Sequence, residues 1–384
     1  ARINVMQIQK IWWSTYRLPL ANGFTTAHTP MQQTRTGAIV EIEIANKIIG
    51  IGEIAPLPEF GGSTLHECIT ALTEFYPTLI NQELASALSH VYTALHYGRI
   101  PAATACGLEI ALLDALGQAR QYSVSALLCD ASTPPCTTIP VNAVIGAATT
   151  EQAIKQAQQA VEAGFQCIKL KVGHDAQQDV ERVTVVRASV GPTVQLRLDA
   201  NEGWTLEQAM WVLRACESLD IQYVEQPLAA GDLTGMRELR RRVSVPLAVD
   251  EALRDLTSAQ LALEAEAADV FVIKPQLAGG LRAGREMITL AQRSRVQCVI
   301  TGAMEAGIGL AGVAHLAAAS PEITTACGLA TAGLFVDDLI LDGLPIQHGI
   351  MSIPTGPGLG VQLDRAALTR YSSQLGRRRD CERS

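Results

Sequence analysis

From about residue 138 the chain reads as an α/β barrel, and the stretch before it as a mixed α+β domain. Two patterns carry this reading. Short apolar strands alternate with amphipathic helices, at 138–144, 166–171, 194–199, 221–225, 246–250, 270–274, 297–301 and 324–329. They recur roughly every 25 residues, the length of one βα unit in a barrel. The first of these strands ends Asn142-Ala143-Val144-Ile145-Gly146, without the Gly-rich phosphate turn expected of an open doubly wound sheet. The linking helices are long and the units are not self-similar, which argues against a solenoid.

In the first third, segments 3–13, 36–44 and 48–53 pattern as strands, with Asn46-Lys47 as a turn. Pro19-Leu20-Ala21-Asn22-Gly23-Phe24 is expected as a mobile loop between the first two. The prolines of Glu53-Ile54-Ala55-Pro56-Leu57-Pro58 end the third strand. Ser63-Thr64-Leu65-His66-Glu67 resembles a helix start, and 65–80, 82–97 and 102–121 carry helical periodicity. Near the end, Pro354-Thr355-Gly356-Pro357-Gly358-Leu359-Gly360 is irregular and is expected to pack back on the N-terminal domain.

The totals bound the function. With 384 residues and 48 % hydrophobic content the chain is globular, with room for two domains. A net charge of -8 carries no nucleic-acid footprint, and Arg377-Arg378-Arg379 reads as a loose tail. Nine cysteines without a CxxC pair suit reduced core thiols. No apolar run reaches membrane-spanning length and no signal-like segment opens the chain, so the expected location is cytoplasmic. Nothing in the composition opposes a homo-oligomer.

Cys167-Ile168-Lys169-Leu170-Lys171-Val172-Gly173 holds the most informative residues. Alternation along a strand has period two, so Lys169 and Lys171 share a face. Two partly desolvated ammonium groups at close range disfavour each other's charge, which is useful where a neutral amine must act as a base. Other strands also end in charge: Asp199, Glu225, Asp250 and Lys274 each close an apolar run. In a barrel these ends ring one mouth. Three carboxylates there would repel without a cation, and three hard oxygen ligands suit Mg²⁺, with Mn²⁺ as the other ion such a set accepts. No His or Cys shares the pattern, which disfavours zinc. Lysines on the second and sixth strands would face each other across the mouth. Proton abstraction α to a carboxylate is the chemistry such a ring can do, followed by β-elimination or reprotonation. Lys171, Lys274 and Lys169 are the catalytic candidates, and Asp199, Glu225 and Asp250 the metal ligands. Arg197 shares the inward face with Asp199 and needs an anionic partner, from the protein or from a substrate carboxylate. Asn201, Phe24, Thr301 and Glu305 complete the candidate substrate contacts.

Lys169-Leu170-Lys171, Asp199-Ala200-Asn201 with Trp204, Glu225-Gln226-Pro227, Asp250-Glu251 and Lys274-Pro275 resemble the motifs of the enolase superfamily, in its muconate-lactonizing-enzyme-like subgroup. The resemblance covers nearly the whole chain. It implies a (β/α)7β TIM-like barrel under an α+β capping domain, Mg²⁺ on the three carboxylates, and acid/base roles for Lys171 and Lys274. The boundaries expected are 1–135 for the cap, 136–340 for the barrel and 341–384 for a segment returning to the cap. Gly52-Glu53-Ile54-Ala55-Pro56-Leu57-Pro58-Glu59-Phe60 is similar to a pattern of the o-succinylbenzoate synthases, with Glu59 in place of their usual glycine. Dipeptide epimerases of the subgroup usually carry Asp-x-Asp at the eighth strand; here it reads Cys327-Gly328-Leu329. The resemblance therefore implies a dehydratase acting on a small carboxylate in menaquinone biosynthesis. An epimerase or N-acylamino acid racemase, and a non-catalytic carboxylate-binding barrel, are the alternatives.

Overall fold

The structure is a computed structural model that describes residues 6–26, 29–129, 133–147 and 149–372; side chains at 22–31 and at Asn46 lie outside the described set. The N-terminal part is a three-stranded antiparallel sheet, β1 (Ile8–Thr26), β2 (Thr29–Ile44) and β3 (Ile49–Ile54), followed by helices α1 (Leu65–Phe75), α2 (Leu84–His96) and α3 (Ala102–Arg120). Thr64 caps α1 reciprocally with Glu67: the Thr64 hydroxyl accepts from the Glu67 N–H, and the Glu67 carboxylate accepts from the Thr64 N–H. α3 is apolar almost all round because it is covered on both sides, by the cap sheet and by barrel helices. Gly52 makes its close approach to the sheet feasible: a Cβ there would lie 2.1 Å from the Gly107 carbonyl oxygen.

The loop expected at 19–24 is part of the β1–β2 hairpin instead, with Pro19 paired to Thr34 and Phe24 to Gln32 across a register shift. Proline cannot donate to a ladder, and the irregularity follows it. Pro19 and Gly23 there mark an irregular stretch of an edge strand, not the end of the strand.

A short helix α4 (Val124–Leu128) and strand β4 (Thr138–Pro140) lead into the barrel. Its parallel strands are β5 (Ala143–Ile145), β6 (Cys167–Lys171), β7 (Gln195–Asp199), β8 (Ile221–Glu225), β9 (Leu247–Val249), β10 (Val270–Ile273) and β11 (Gln297–Ile300), hydrogen-bonded in that order. Helices α5 (Thr150–Glu162), α6 (Ala176–Val190), α7 (Leu206–Ala215), α8 (Leu233–Arg240), α9 (Leu256–Glu264), α10 (Pro275–Ala278), α11 (Leu281–Arg293) and α12 (Gly307–Ala318) connect them. The ring closes through parallel bridges Val141↔Cys327 and Thr301↔Gly328, so the expected strand at 324–329 shrinks to a two-bridge seam. The expected 138–144 strand divides: β4 pairs antiparallel with β13 (Ile350–Ser352), itself paired with β12 (Ile346–Gln347), and only β5 joins the barrel.

Tyr223, Ala248, Val270, Val272 and Val299 form an apolar cluster of their own on the barrel strands. The returning C-terminal stretch packs on the cap. Leu359 N–H donates to Asp114 of α3 at 2.7 Å, and Arg365, which opens α13 (Arg365–Tyr371), pairs with Glu41 of β2. Among the described residues no helix is long and apolar enough to cross a membrane.

Candidate active site

Register sets the site. Lys171 lies opposite Asp199, and Asp199 opposite Glu225, so period-two alternation turns all three to the mouth. Asp250 directly follows β9 and Lys274 directly follows β10. Lys171 and Lys274 are thus four places apart in a ring of eight, on opposite sides. The backbone turns sharply past these ends: Asn201, Gln226 and Met304 have φ of 42°, 37° and 57°. Such left-handed residues cluster where surrounding structure over-determines them, as active sites do. Gly173, at φ 96°, lets the chain leave β6 with its Cα against Ala200; a Cβ would lie 2.1 Å from the Ala200 carbonyl oxygen.

The lysines are ion-paired. Lys169 Nζ lies 2.9 Å from Asp199 Oδ2 and 3.0 Å from Glu225 Oε1. Lys171 Nζ donates to Asp199 Oδ2 at 2.7 Å and to Asn201 Oδ1 at 2.6 Å. Lys274 pairs with Asp250, and its ammonium stands 4.5 Å from the centre of the Phe60 ring. Burial alone would lower Lys169, but Asp199 and Glu225 outweigh it and hold this amine well above its ordinary range. The mutual repulsion expected of the lysine pair is therefore answered by carboxylates from neighbouring strands. Burial would also raise Asp199, yet Lys169 and Lys171 hold it well below the usual carboxylate range. Glu225 goes the other way, pushed up to about 8 by burial and by Asp199. Asp250 is raised by burial as well.

Among the described residues no three carboxylate, imidazole or thiolate groups converge on one point as the side chains stand; ammonium groups lie between the carboxylates. The donor set nevertheless fits a divalent cation. Three buried carboxyls, Asp199, Glu225 and Asp250, and the partly buried Glu251 meet three lysines, and Glu251 Oε2 is itself buried with no hydrogen-bond partner among the described residues. This leaves one formal negative charge unbalanced among hard oxygen donors.

The other candidates separate. Asn201 is a clamp between Lys171 and Glu251, whose carboxylate accepts from Asn201 Nδ2 at 2.9 Å. Arg197 is fully buried and has no carboxylate partner among the described residues. Its Nε donates to Gln222 at 2.6 Å, its Nη1 to Asn142 and to the Ala326 carbonyl, and Tyr223 lies under its plane. A register shift in β8 between Ile221 and Tyr223 leaves Gln222 as the extra residue, which no local pattern announces. Thr301 Oγ1 donates to the Gly328 carbonyl at 3.0 Å, across the barrel seam. Glu305 is fully buried, neither exposed nor paired with Lys274. Phe24 falls where side chains are outside the described set.

Residues missed by sequence reasoning hold the cap against this mouth. Glu53 of β3 accepts from Tyr16 Oη at 2.5 Å, from the N–H of Ala306, the residue that caps α12, at 2.8 Å and from that of Gly309 in α12 at 2.7 Å. Arg35 spans the Pro56 carbonyl of the cap and those of Ala303 and Met304. Gln276, two residues past Lys274, accepts from Ala55 N–H and donates to the Glu53 carbonyl. A glutamate inside an apolar strand was the available signal for Glu53.

Residues 152–367 match the family described as Enolase C-terminal domain-like, and residues 6–112 that described as MenC, N-terminal domain. The chain belongs to the enolase superfamily. Among curated relatives, the o-succinylbenzoate synthase of Thermobifida fusca is 39 % identical over 219 residues, 56 % of this chain and 67 % of that protein. The N-succinyl Arg/Lys racemase from Bacillus cereus superposes with a TM-score of 0.89 at 25 % identity, covering 96 % of this chain and 98 % of that one. A dipeptide epimerase from Enterococcus faecalis, solved with Mg and L-Leu-L-Tyr, gives a TM-score of 0.87 at 26 % identity over 93 % and 99 %. The protein is thus an enzyme of the enolase superfamily, whose sites pair a Lys or His base with Mg²⁺.

Proposed function

We propose that this superfamily member is a Mg²⁺-dependent lyase of the o-succinylbenzoate synthase type, which dehydrates a cyclohexadiene hydroxy-acid to 2-succinylbenzoate in menaquinone biosynthesis. The observation that carries the reading is the eighth-strand seam. A dipeptide's free ammonium needs an anion, and the seam offers only Ala326, Cys327, Gly328 and Leu329. Similarity to the Thermobifida fusca synthase supports it.

Asp199, Glu225 and Asp250 are the proposed ligands, and a divalent cation bound there would supply positive charge to the substrate carboxylate as the α-proton leaves. With two such charges added, the four carboxylates are balanced by two lysines, which frees the third to act as an amine base. Lys171 takes that role: its nitrogen, aligned by Asp199 and Asn201, accepts the α-proton. The C–H electron pair moves into the substrate carboxylate. When it returns, the β C–O bond breaks and Lys171 gives its proton to the departing hydroxyl, releasing water. Lys274, held by Asp250 and Phe60, stays charged opposite and stabilises the developing negative charge. Lys169 separates Asp199 from Glu225. Leu57, Leu277 and Ala303, with Phe60 packed on them, form the apolar wall by Lys274 that keeps water off the intermediate.

A second reading, N-acylamino acid racemase, is favoured by the full-length likeness to the Bacillus cereus racemase, whose N-acylated substrate carries no free α-ammonium. Ultraviolet detection of the aromatic product, run beside ¹H–²H exchange on N-succinylamino acids and dipeptides, tests both. Aromatic product at catalytic rates is expected. Exchange on an acylamino acid with no dehydration refutes the lyase.

A further inference from the structure

Glu305 follows β11 in the loop under the cap, and the mechanism above does not use it. The charged and titratable groups around it are Tyr16 of β1, Arg35 of β2, Glu53 of β3, Cys106 of α3 and Lys274 after β10. Lys274 is engaged by Asp250, and the Arg35 guanidinium donates to the backbone carbonyls of Pro56, Ala303 and Met304, so neither Glu53 nor Glu305 has an ion-pair partner among the described residues. Two neighbouring buried carboxyls without an ion-pair partner cannot both stay ionised at low cost, so the pair keeps one proton. Burial pushes both acids up, in line with this.

Hydrogen bonding decides which acid holds the proton. The two oxygens of Glu53 accept from three donors, Tyr16, Ala306 and Gly309, and a proton there would turn one donor away. The Glu305 carboxyl is approached by two backbone donors, its own N–H and that of Ala303, the latter 2.6 Å from Oε2, but Oε1 is buried without a partner among the described residues. The Thr331 hydroxyl is likewise buried and unpartnered. Both groups flank the bare Cα of Gly302, where a Cβ would stand 3.0 Å from Glu305 Oε2 and 3.3 Å from Thr331 Oγ1.

We propose that Glu305 is a neutral carboxylic acid whose Oε1 hydroxyl, together with Thr331 Oγ1 beside Gly302, forms a hydrogen-bonding subsite for an oxygen of the substrate. This rests on the reading that the mouth binds a succinyl-type carboxylate, a group common to 2-succinylbenzoate and to N-succinylamino acids. A protonated acid donates to a substrate carboxylate where an ionised one would repel it.

Two measurements test it on the Mg²⁺-loaded protein. Infrared difference spectra of wild type minus Glu305→Gln at neutral pH should contain the carbonyl stretch of a protonated carboxyl, and that band should not move in Tyr16→Phe. A missing band, or one that moves with Tyr16, assigns the proton elsewhere and overturns the proposal. Calorimetric titration with 2-succinylbenzoate should give an affinity that falls as pH rises in wild type and stays flat in Glu305→Gln. Thr331→Val should weaken binding roughly tenfold. Unchanged affinity in both variants, with wild-type melting, overturns the subsite. Failure of wild type to bind 2-succinylbenzoate counts against the lyase reading alone; N-succinyl-L-arginine then serves as the probe, and the infrared result still decides the proton.

Discussion

Removing either mouth lysine should separate stability from catalysis, and in opposite proportions. Lys171 shares Asp199 with Lys169, which stays 2.9 Å away when Lys171 is truncated. Asp199 then still has a cation, so Lys171→Ala should cost about 1.5–3 kcal/mol of stability, the worth of a hydrogen bond to a charged group. Its effect on rate should be large: loss of a positioned acid–base group removes roughly 10²–10⁴-fold. Lys274 differs, because it is the cation paired with Asp250 and both are nearly inaccessible, at 7 % and 3 % exposure. Lys274→Ala leaves a buried carboxylate without its cation and should cost about 3–5 kcal/mol, reduced when Mg²⁺ is present. Lys274→Arg keeps the charge and should restore most of that stability. Under the lyase mechanism it should also keep measurable dehydration, since Lys274 moves no proton. Urea denaturation, product absorbance and α-proton exchange into D₂O read all three quantities. If Lys274→Arg folds, binds Mg²⁺ and is as inactive as Lys171→Ala, the electrostatic role assigned to Lys274 is wrong and the two-base racemase gains.

Asp199→Ala should abolish activity and Mg²⁺ binding measured by calorimetry while the circular dichroism spectrum persists; retained binding would remove Asp199 from the ligand set. Asn201→Leu should lower kcat more than it raises KM, because Asn201 holds Lys171; an effect on KM alone would make it a substrate contact. Burial pushes Glu109 from 4.5 up to about 7, so its contribution to stability is full below pH 4.5 and lost as pH rises to about 7. Glu109→Gln should therefore lessen that loss by an amount on the order of 3 kcal/mol, read from urea midpoints across pH; an identical slope would refute the assignment. Gly173→Ala should destabilise by about 2 kcal/mol or more through left-handed strain and the Ala200 contact, and a wild-type melting curve would count against it.

What could be read before folding was local. Period-two alternation places Lys169 with Lys171 and Arg197 with Asp199 on shared faces, and the recurring charge at strand ends marks one rim, because both depend on neighbours a few residues apart. The family motifs lie in those same short stretches. Partners contributed by distant segments were out of reach. Gln222 meets Arg197 through a register shift that alternation cannot signal. Glu53 and α12 are more than 250 residues apart, and Arg35 reaches the 303–304 carbonyls over a similar separation. The burial of single groups was equally out of reach: Glu305 could by type have been exposed or paired with Lys274, and it is fully buried and makes no ion pair with that lysine. Charge at the mouth was visible as residue identity, while the sign and extent of each proton shift depend on which side chains three-dimensional packing leaves beside it. Only the assembled cap and barrel set those distances, because Coulomb and desolvation energies follow separation in space and not along the chain.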